Sequence, residues 1–287
     1  MGEISLPFPY AGPARIARRA LRSIRKHRIA LLSVSALLFI IFFPTLFMGR
    51  VLSPNDVYFH YQPWASIAKV EAQNPLIHDP PTAYITLISL LKNDLSSFHW
   101  NRYIACGIPG FGSVAAAVVS PFILVPALLL PLIAAYSGIV IMKILFSFAT
   151  AYLWLREERF GKLGAAAGAT VFAGAGVYAV WWLWQGTNAT SLYAITLFLL
   201  SRAFHGKRNP TWLIVAVFVS YLSSGFPAPV AYGVYAMGAY VAYRVIATRS
   251  FPRIEAAKFA IATLLALLIA SPLLEPFLSL LRRTGYL

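Results

Sequence analysis

The residues best suited to chemistry lie together between Leu52 and Gly112, a polar stretch in an otherwise apolar chain. It holds Asp56, Asp79 and Asp94, with His60, His78 and His99. Its start reads Leu52-Ser-Pro-Asn-Asp56-Val-Tyr58-Phe-His60-Tyr61-Gln62-Pro63-Trp64. A carboxylate at Asp56, just beyond the first apolar run, is placed to take a proton from an acceptor hydroxyl during group transfer. Asp is also a favoured helix N-cap, and that alternative stays open. Arg102 and Lys92 suit a phosphate. Tyr58, Tyr61, Trp64, Trp100 and Tyr103 suit either a stacking platform for sugar rings or an interfacial aromatic belt. Asp56, His60, His78, Asp79 and His99 could converge on Mg or Mn bridging a phosphate. Their spacing fits no ligand motif, and the chemistry requires no metal.

The elements that position these groups are membrane helices. The chain is 59% hydrophobic and 11% charged, with mean hydropathy +0.70, whereas soluble domains carry about 25% charge. The formal net charge of +15 does not signal nucleic acid, because the cations fall between apolar segments, as in cytoplasmic loops. Cys106 is the single cysteine, so an internal disulfide is excluded. The first apolar run, Ile29 to Met48, is too long for a signal-peptide core and is read as retained.

Charge sets the topology. Arg15, Arg18, Arg19, Arg22, Arg25, Lys26 and Arg28 precede the first run and hold residues 1–28 in the cytoplasm, beyond a Pro/Gly-containing lead at 1–14. Two further runs, Val114–Ala135 and Ser137–Leu155, are joined by almost nothing. If only the second crosses, Arg156/Arg159/Lys162, Arg202/Lys207/Arg208 and Arg244/Arg249/Arg253/Lys258 all fall inside, and 17 of the 24 Lys and Arg share one side. Pro121, Pro126 and Pro131 break the first run, which suits an interfacial or re-entrant element. The expectation is an all-α polytopic membrane protein with about seven crossing helices and a cytoplasmic N-terminus. These lie near 29–48, 137–155, 163–184, 190–204, 211–224, 228–247 and 259–281. Residues 49–136 then form a large first extracytoplasmic loop within the 29–287 membrane domain. Trp181, Trp182 and Trp184 would close the third helix as an outer belt.

Order within the loop adds a resemblance. Asp56 and Gln62-Pro63 follow the first helix. Then comes Trp100-Asn101-Arg102-Tyr103-Ile-Ala-Cys-Gly107-Ile-Pro109, and after it the run from Ser120 to Pro131. Further on stand Phe172-Ala-Gly-Ala-Gly176-Val-Tyr178, Gln185, Asn188 and Ser224-Gly225-Phe226-Pro227. This succession, over residues 29–247, resembles the bacterial YfhO-like membrane proteins, which are related to GT-C glycosyltransferases. The resemblance implies a GT-C-like fold whose first outer loop carries the active site, with Asp56 as catalytic carboxylate. His60, Gln62, Trp100, Asn101, Arg102, Tyr103, Lys143, Gln185 and Asn188 would bind substrate. Its implied partners are membrane lipids, a polyprenyl-phosphate-linked sugar donor and an extracytoplasmic glycan or lipid acceptor, with no nucleic acid. Family members often carry His where this chain has Gln185, and they are longer, so the chain would be the N-terminal part of that architecture.

Two charges lie within apolar helices, where they are costly and point to function. Lys143 could hold a lipid phosphate or snorkel to the interface. Glu275, between Pro272 and Pro276, would sit at a helix break facing protein. The Asn188-Ala-Thr190 sequon is outward-facing in this topology and a weak signal. A second expectation is a lipid transporter or flippase using Lys143 and Glu275, with Asp56 structural. A third is a non-catalytic member that kept the fold.

Overall fold

The computed structural model describes residues 13–50, 52, 55–71, 85–98, 100–103, 106–109, 117, 119–176 and 181–283, and over 13–26 the helix path alone. His78, Asp79 and His99 lie outside the described residues. The protein is all-α and membrane-embedded; the described strands are two of two residues each. Among the described residues, four helices are long and apolar enough to cross a bilayer: His27–Phe47, Leu132–Glu157, Pro227–Thr248 and Arg253–Ser279.

Helix α1 (Pro13–Phe47) carries a single non-helical residue, His27, where the basic segment meets the apolar one. In the polar region, short 3-10 turns at Asn55–His60 and Trp64–Ser66 precede α2 (Ile85–Asn93). The proline-rich run is broken as expected. Helix α3 (Pro121–Leu129) ends at extended Leu130, and α4 (Leu132–Glu157) begins two residues later. Pro121 opens α3, where a missing N–H costs nothing. Phe122, Ile123 and Ala127 are buried, and α3 folds back onto α4.

Helix α5 (Lys162–Ala173) packs on α4 through a stripe of small residues, Ala165, Ala166, Ala169 and Ala173, all 0% exposed. Such stripes let membrane helices approach closely. A Cβ at Gly168 would meet Leu155 Cδ1 at 2.6 Å. Within the expected helix at 163–184, α5 ends at Ala173 with Gly174 as its C-cap, and Gly176 and Trp181 are again helical. Gly174 and Gly176 weaken helix propagation here. Next come α6 (Gly186–Thr190) and α7 (Tyr193–Phe204). Gln185, Ser191 and Leu192 all hold right-handed helical dihedrals, so the chain runs nearly helical from Gln185 through α7.

Helix α8 (Thr211–Leu222) precedes α9 (Pro227–Thr248) and α10 (Arg253–Arg283). A second small stripe, Ala262, Ala266 and Ala270, is buried on α10, and α8 is its main partner. Pro272 and Pro276 do not break α10, and Glu275 is exposed on its surface rather than turned to protein, contrary to expectation.

Polar contacts tie one end of the bundle together. His27 Nδ1 hydrogen-bonds the Tyr152 hydroxyl at 3.2 Å, near the end of α4. Glu157 pairs with His205 (3.2 Å) and Lys207 (2.7 Å). Glu158 pairs with Arg244 at 2.9 Å. Glu255 accepts from the Asn209 backbone at 3.2 Å and from Lys258 at 2.7 Å. The basic stretches between the apolar helices thus share one end, together with the start of the first span. At the other end, Tyr58 comes within electrostatic reach of Tyr136 in the first turns of α4, and α2 packs on α3.

Candidate functional site

The Trp-Asn-x-Tyr to Gly-x-Pro segment folds as a miniature antiparallel hairpin. Strand β1 (Trp100–Asn101) pairs with β2 (Ile108–Pro109), placing Trp100 opposite Pro109 and Asn101 opposite Ile108. Gly107 has φ +111°, which L side chains rarely adopt, and a Cβ there would collide with the Trp100 indole. Asn101 is buried, and its Oδ1 accepts from the Tyr103 backbone N–H at 3.0 Å. Such a side-chain turn is the local habit of Asn.

The hairpin delivers Arg102 and Tyr103 to Asp94. The Asp94 carboxylate accepts from Arg102 Nη2 (2.9 Å), Ser97 Oγ (2.8 Å), Tyr103 Oη (3.2 Å) and Ser96 Oγ. Donation from Ser96, Arg102, Ser97 and Tyr103 holds the Asp94 carboxyl well below the usual carboxylate range. Arg102 was expected to meet phosphate; part of it is committed to this clasp, while its side chain stays 65% exposed. Asp94 had no assigned role in the sequence reading. The signal available was its position just before Ser96-Ser97 and the Trp100-Asn-Arg-Tyr103 turn.

A cleft of about 500 Å³ opens beside the clasp, lined by Thr86, Ser89, Leu90, Asn93, Asp94, Tyr103 and Leu132. Most of its lining surface is apolar, with hydroxyl, amide and carboxylate groups from Thr86, Ser89, Asn93, Asp94 and Tyr103 set into it, and Leu132, the first residue of α4, contributes. Trp100 and Tyr103 are exposed nearby. Asp56 lies inside the 3-10 turn Asn55–His60, half-buried, so it is not the N-cap residue of that element. Val57 beside it is fully buried, while His60, Gln62 and Trp64 are exposed. Tyr58 and Trp64 pack with ring centroids 5.4 Å apart. Among the described residues no three His, Cys, Asp or Glu side chains converge on a metal position.

A second polar layer lies within the bundle. Lys143 is 0% exposed and neither snorkels nor opens to a lipid phosphate. Its Nζ donates to the carbonyls of Trp182 (2.9 Å) and Trp184 (3.0 Å) and to Thr187 Oγ1 (2.8 Å). The three tryptophans are half-buried beside this node, Trp181 in helical and Trp182 and Trp184 in irregular backbone. Gln185 is 7% exposed. Asn188 is fully buried and donates Nδ2 to the Ser224 carbonyl at 3.1 Å, so the sequon side chain faces the interior. Thus Asn101, Arg102 and Tyr103 gather around Asp94, while Lys143, Gln185 and Asn188 belong to the internal layer. Thr187 went unrecognised in the sequence, although Gly186-Thr-Asn-Ala-Thr190 is a polar run in apolar surroundings. The chain matches no protein-family model, no curated protein and no solved structure.

Proposed function

We propose that this chain is an integral membrane glycosyltransferase of GT-C-like design, allied to the YfhO-like proteins. It moves a sugar from a polyprenyl-phosphate carrier to an extracytoplasmic glycan or lipid acceptor at the bacterial cytoplasmic membrane. In this reading the end that gathers the basic segments faces the cytoplasm. Seven segments cross, and those built on the 12-residue helices α5, α7 and α8 use adjoining irregular or near-helical backbone to complete the distance. The polar segment then lies outside at headgroup depth.

The observation that carries the reading is the cleft beside Asp94 and Tyr103, mostly apolar but with polar α2 side chains in its lining, and reaching Leu132 at the start of a membrane helix. A lipid-linked sugar needs such a place, because its chain stays in hydrocarbon while its sugar stands in water. Exposed Tyr103 and Trp100 offer ring faces, and Ser89, Asn93 and Thr86 offer hydroxyl and amide partners. The Arg102 donors not engaged by Asp94 face the carrier phosphate. Asp56 takes the proton of the acceptor hydroxyl as its oxygen bonds to the anomeric carbon. The carbon–oxygen bond to the phosphate breaks, and the polyprenyl phosphate leaves with the electron pair.

The test is transfer from a polyprenyl-phosphate sugar by Asp56→Asn in the otherwise intact membrane protein. The rate is expected to fall by about 10²-fold or more, as for loss of a general base, with Tm unchanged. Undiminished transfer would remove Asp56 from the mechanism.

A further inference from the structure

The irregular stretch 182–185 is organised around one charge. Lys143 lies about 16 Å along α4 from Leu132 and about 21 Å from Glu157, at 1.5 Å per residue, so it sits at membrane depth. Its ammonium has three N–H donors, and three oxygens receive them at 2.8–3.0 Å. Two are peptide carbonyls of the interrupted stretch, and the third is the Thr187 hydroxyl. Thr187 Oγ1 also lies 2.7 Å from the Trp184 carbonyl, so the acceptors form one small cluster. Carbonyls freed where a membrane helix unwinds are the groups that coordinate monovalent cations in discontinuous helices, and they are tolerated only when satisfied by protein, water or an ion. Among the described residues no acidic side chain pairs with Lys143, and its hydrogen bonds go to this oxygen cluster.

We propose that the Lys143 ammonium is the resident, covalently tethered cation of a carbonyl-and-hydroxyl site inside the membrane. The site emptied of this side chain takes a small free cation bearing N–H donors, of the ammonium or methylammonium class. The positive charge fixes the path from Trp182 to Asn188, and through it the placement of Gln185. This inference is independent of the transfer reaction, and its readout is stability.

The experiment compares melting of the detergent-purified full chain as wild type, Lys143→Ala and Lys143→Met, with added methylammonium or tetramethylammonium at equal ionic strength. Both variants melt below wild type. Methylammonium raises the Tm of Lys143→Ala progressively, as a ligand does by mass action. It leaves Lys143→Met, whose side chain fills the space, unchanged, and tetramethylammonium, which has no N–H, restores nothing. Equal effects of the two cations on Lys143→Ala, or a Lys143→Met protein as stable as wild type, overturn the proposal. A milder pair serves if Lys143→Ala does not fold: Thr187→Val removes one oxygen and lowers Tm, whereas Thr187→Ser keeps it. Equal melting of these two also overturns the proposal.

Discussion

Arg244 of α9 reaches Glu158, just past the end of α4, with Nη1 2.9 Å from Oε2 and 3.2 Å from Oε1. The partners are 86 residues apart in sequence, and their side chains are only 11% and 20% exposed. The guanidinium also lies over the rings of Phe204 and Tyr240. Burial pushes the Glu158 carboxyl up, but donation from Ser201 and Tyr240 and the charge of Arg244 outweigh this and lower its pKa. Arg244→Met is expected to destabilise by about 2 kcal/mol, somewhat less than for a fully buried pair. The double variant Arg244→Met with Glu158→Gln should lose less than the sum of the single changes. A double-mutant cycle on detergent unfolding checks this, and strict additivity would dissolve the coupling.

The Asp94 clasp has a defined pH window. Its folded pKa lies below the unfolded value of about 3.9, so its stabilisation is fully present above that value and fades only as pH falls further. Amide exchange over residues 94–103, corrected for intrinsic rate, should stay flat from pH 7 to about pH 4. Asp94→Asn should raise exchange throughout that range. Loss of protection in the wild type near pH 6 would contradict the assignment.

Gly107 is needed for its backbone as well as its size. Gly107→Ala should cost about 1–3 kcal/mol locally through the positive φ, before the collision with Trp100 is counted. Trypsin cleavage after Arg102 reports the opening, and it should accelerate in Gly107→Ala. Gly161→Ala, where an added Cβ meets nothing within 4 Å, should leave the rate as in wild type.

The orientation is open to labelling in a Cys106→Ser background. Leu95→Cys, on the polar segment and exposed, should react with an impermeant maleimide in intact cells. Lys207→Cys, at the basic end, should react only after permeabilisation. The reverse pattern would invert the topology.

What the sequence made legible follows from which forces are local. Apolar runs mark α1, α4, α9 and α10 because burial in lipid needs only composition and length. Pro121, Pro126 and Pro131 mark the α3–α4 break because proline acts on its own backbone. The shared end of Arg156–Lys162, Arg202–Arg208 and Arg244–Lys258 was readable from charge alone. The irregular backbone at 182–185 was not readable, because what holds it is Lys143, a distant residue that binds the carbonyls of Trp182 and Trp184. Apolarity continues through Leu183, so hydropathy runs past the break. Asp94 was partly hidden: Ser96 and Ser97 are local, but Arg102 and Tyr103 arrive only once Gly107 lets the hairpin close.

Lys143 and Thr187 are 44 residues apart, and that separation bears on biogenesis. During synthesis α4 meets the membrane before Trp182, Trp184 and Thr187 have left the ribosome. A lysine at the centre of an inserting helix costs about 3 kcal/mol on translocon scales. The nascent α4 carries that penalty until Trp182 to Thr187 emerge, at about 5–20 residues per second. Chain order therefore imposes an interval of seconds in which α4 is held by the insertion machinery or lies off-register, and docking of α6 ends it.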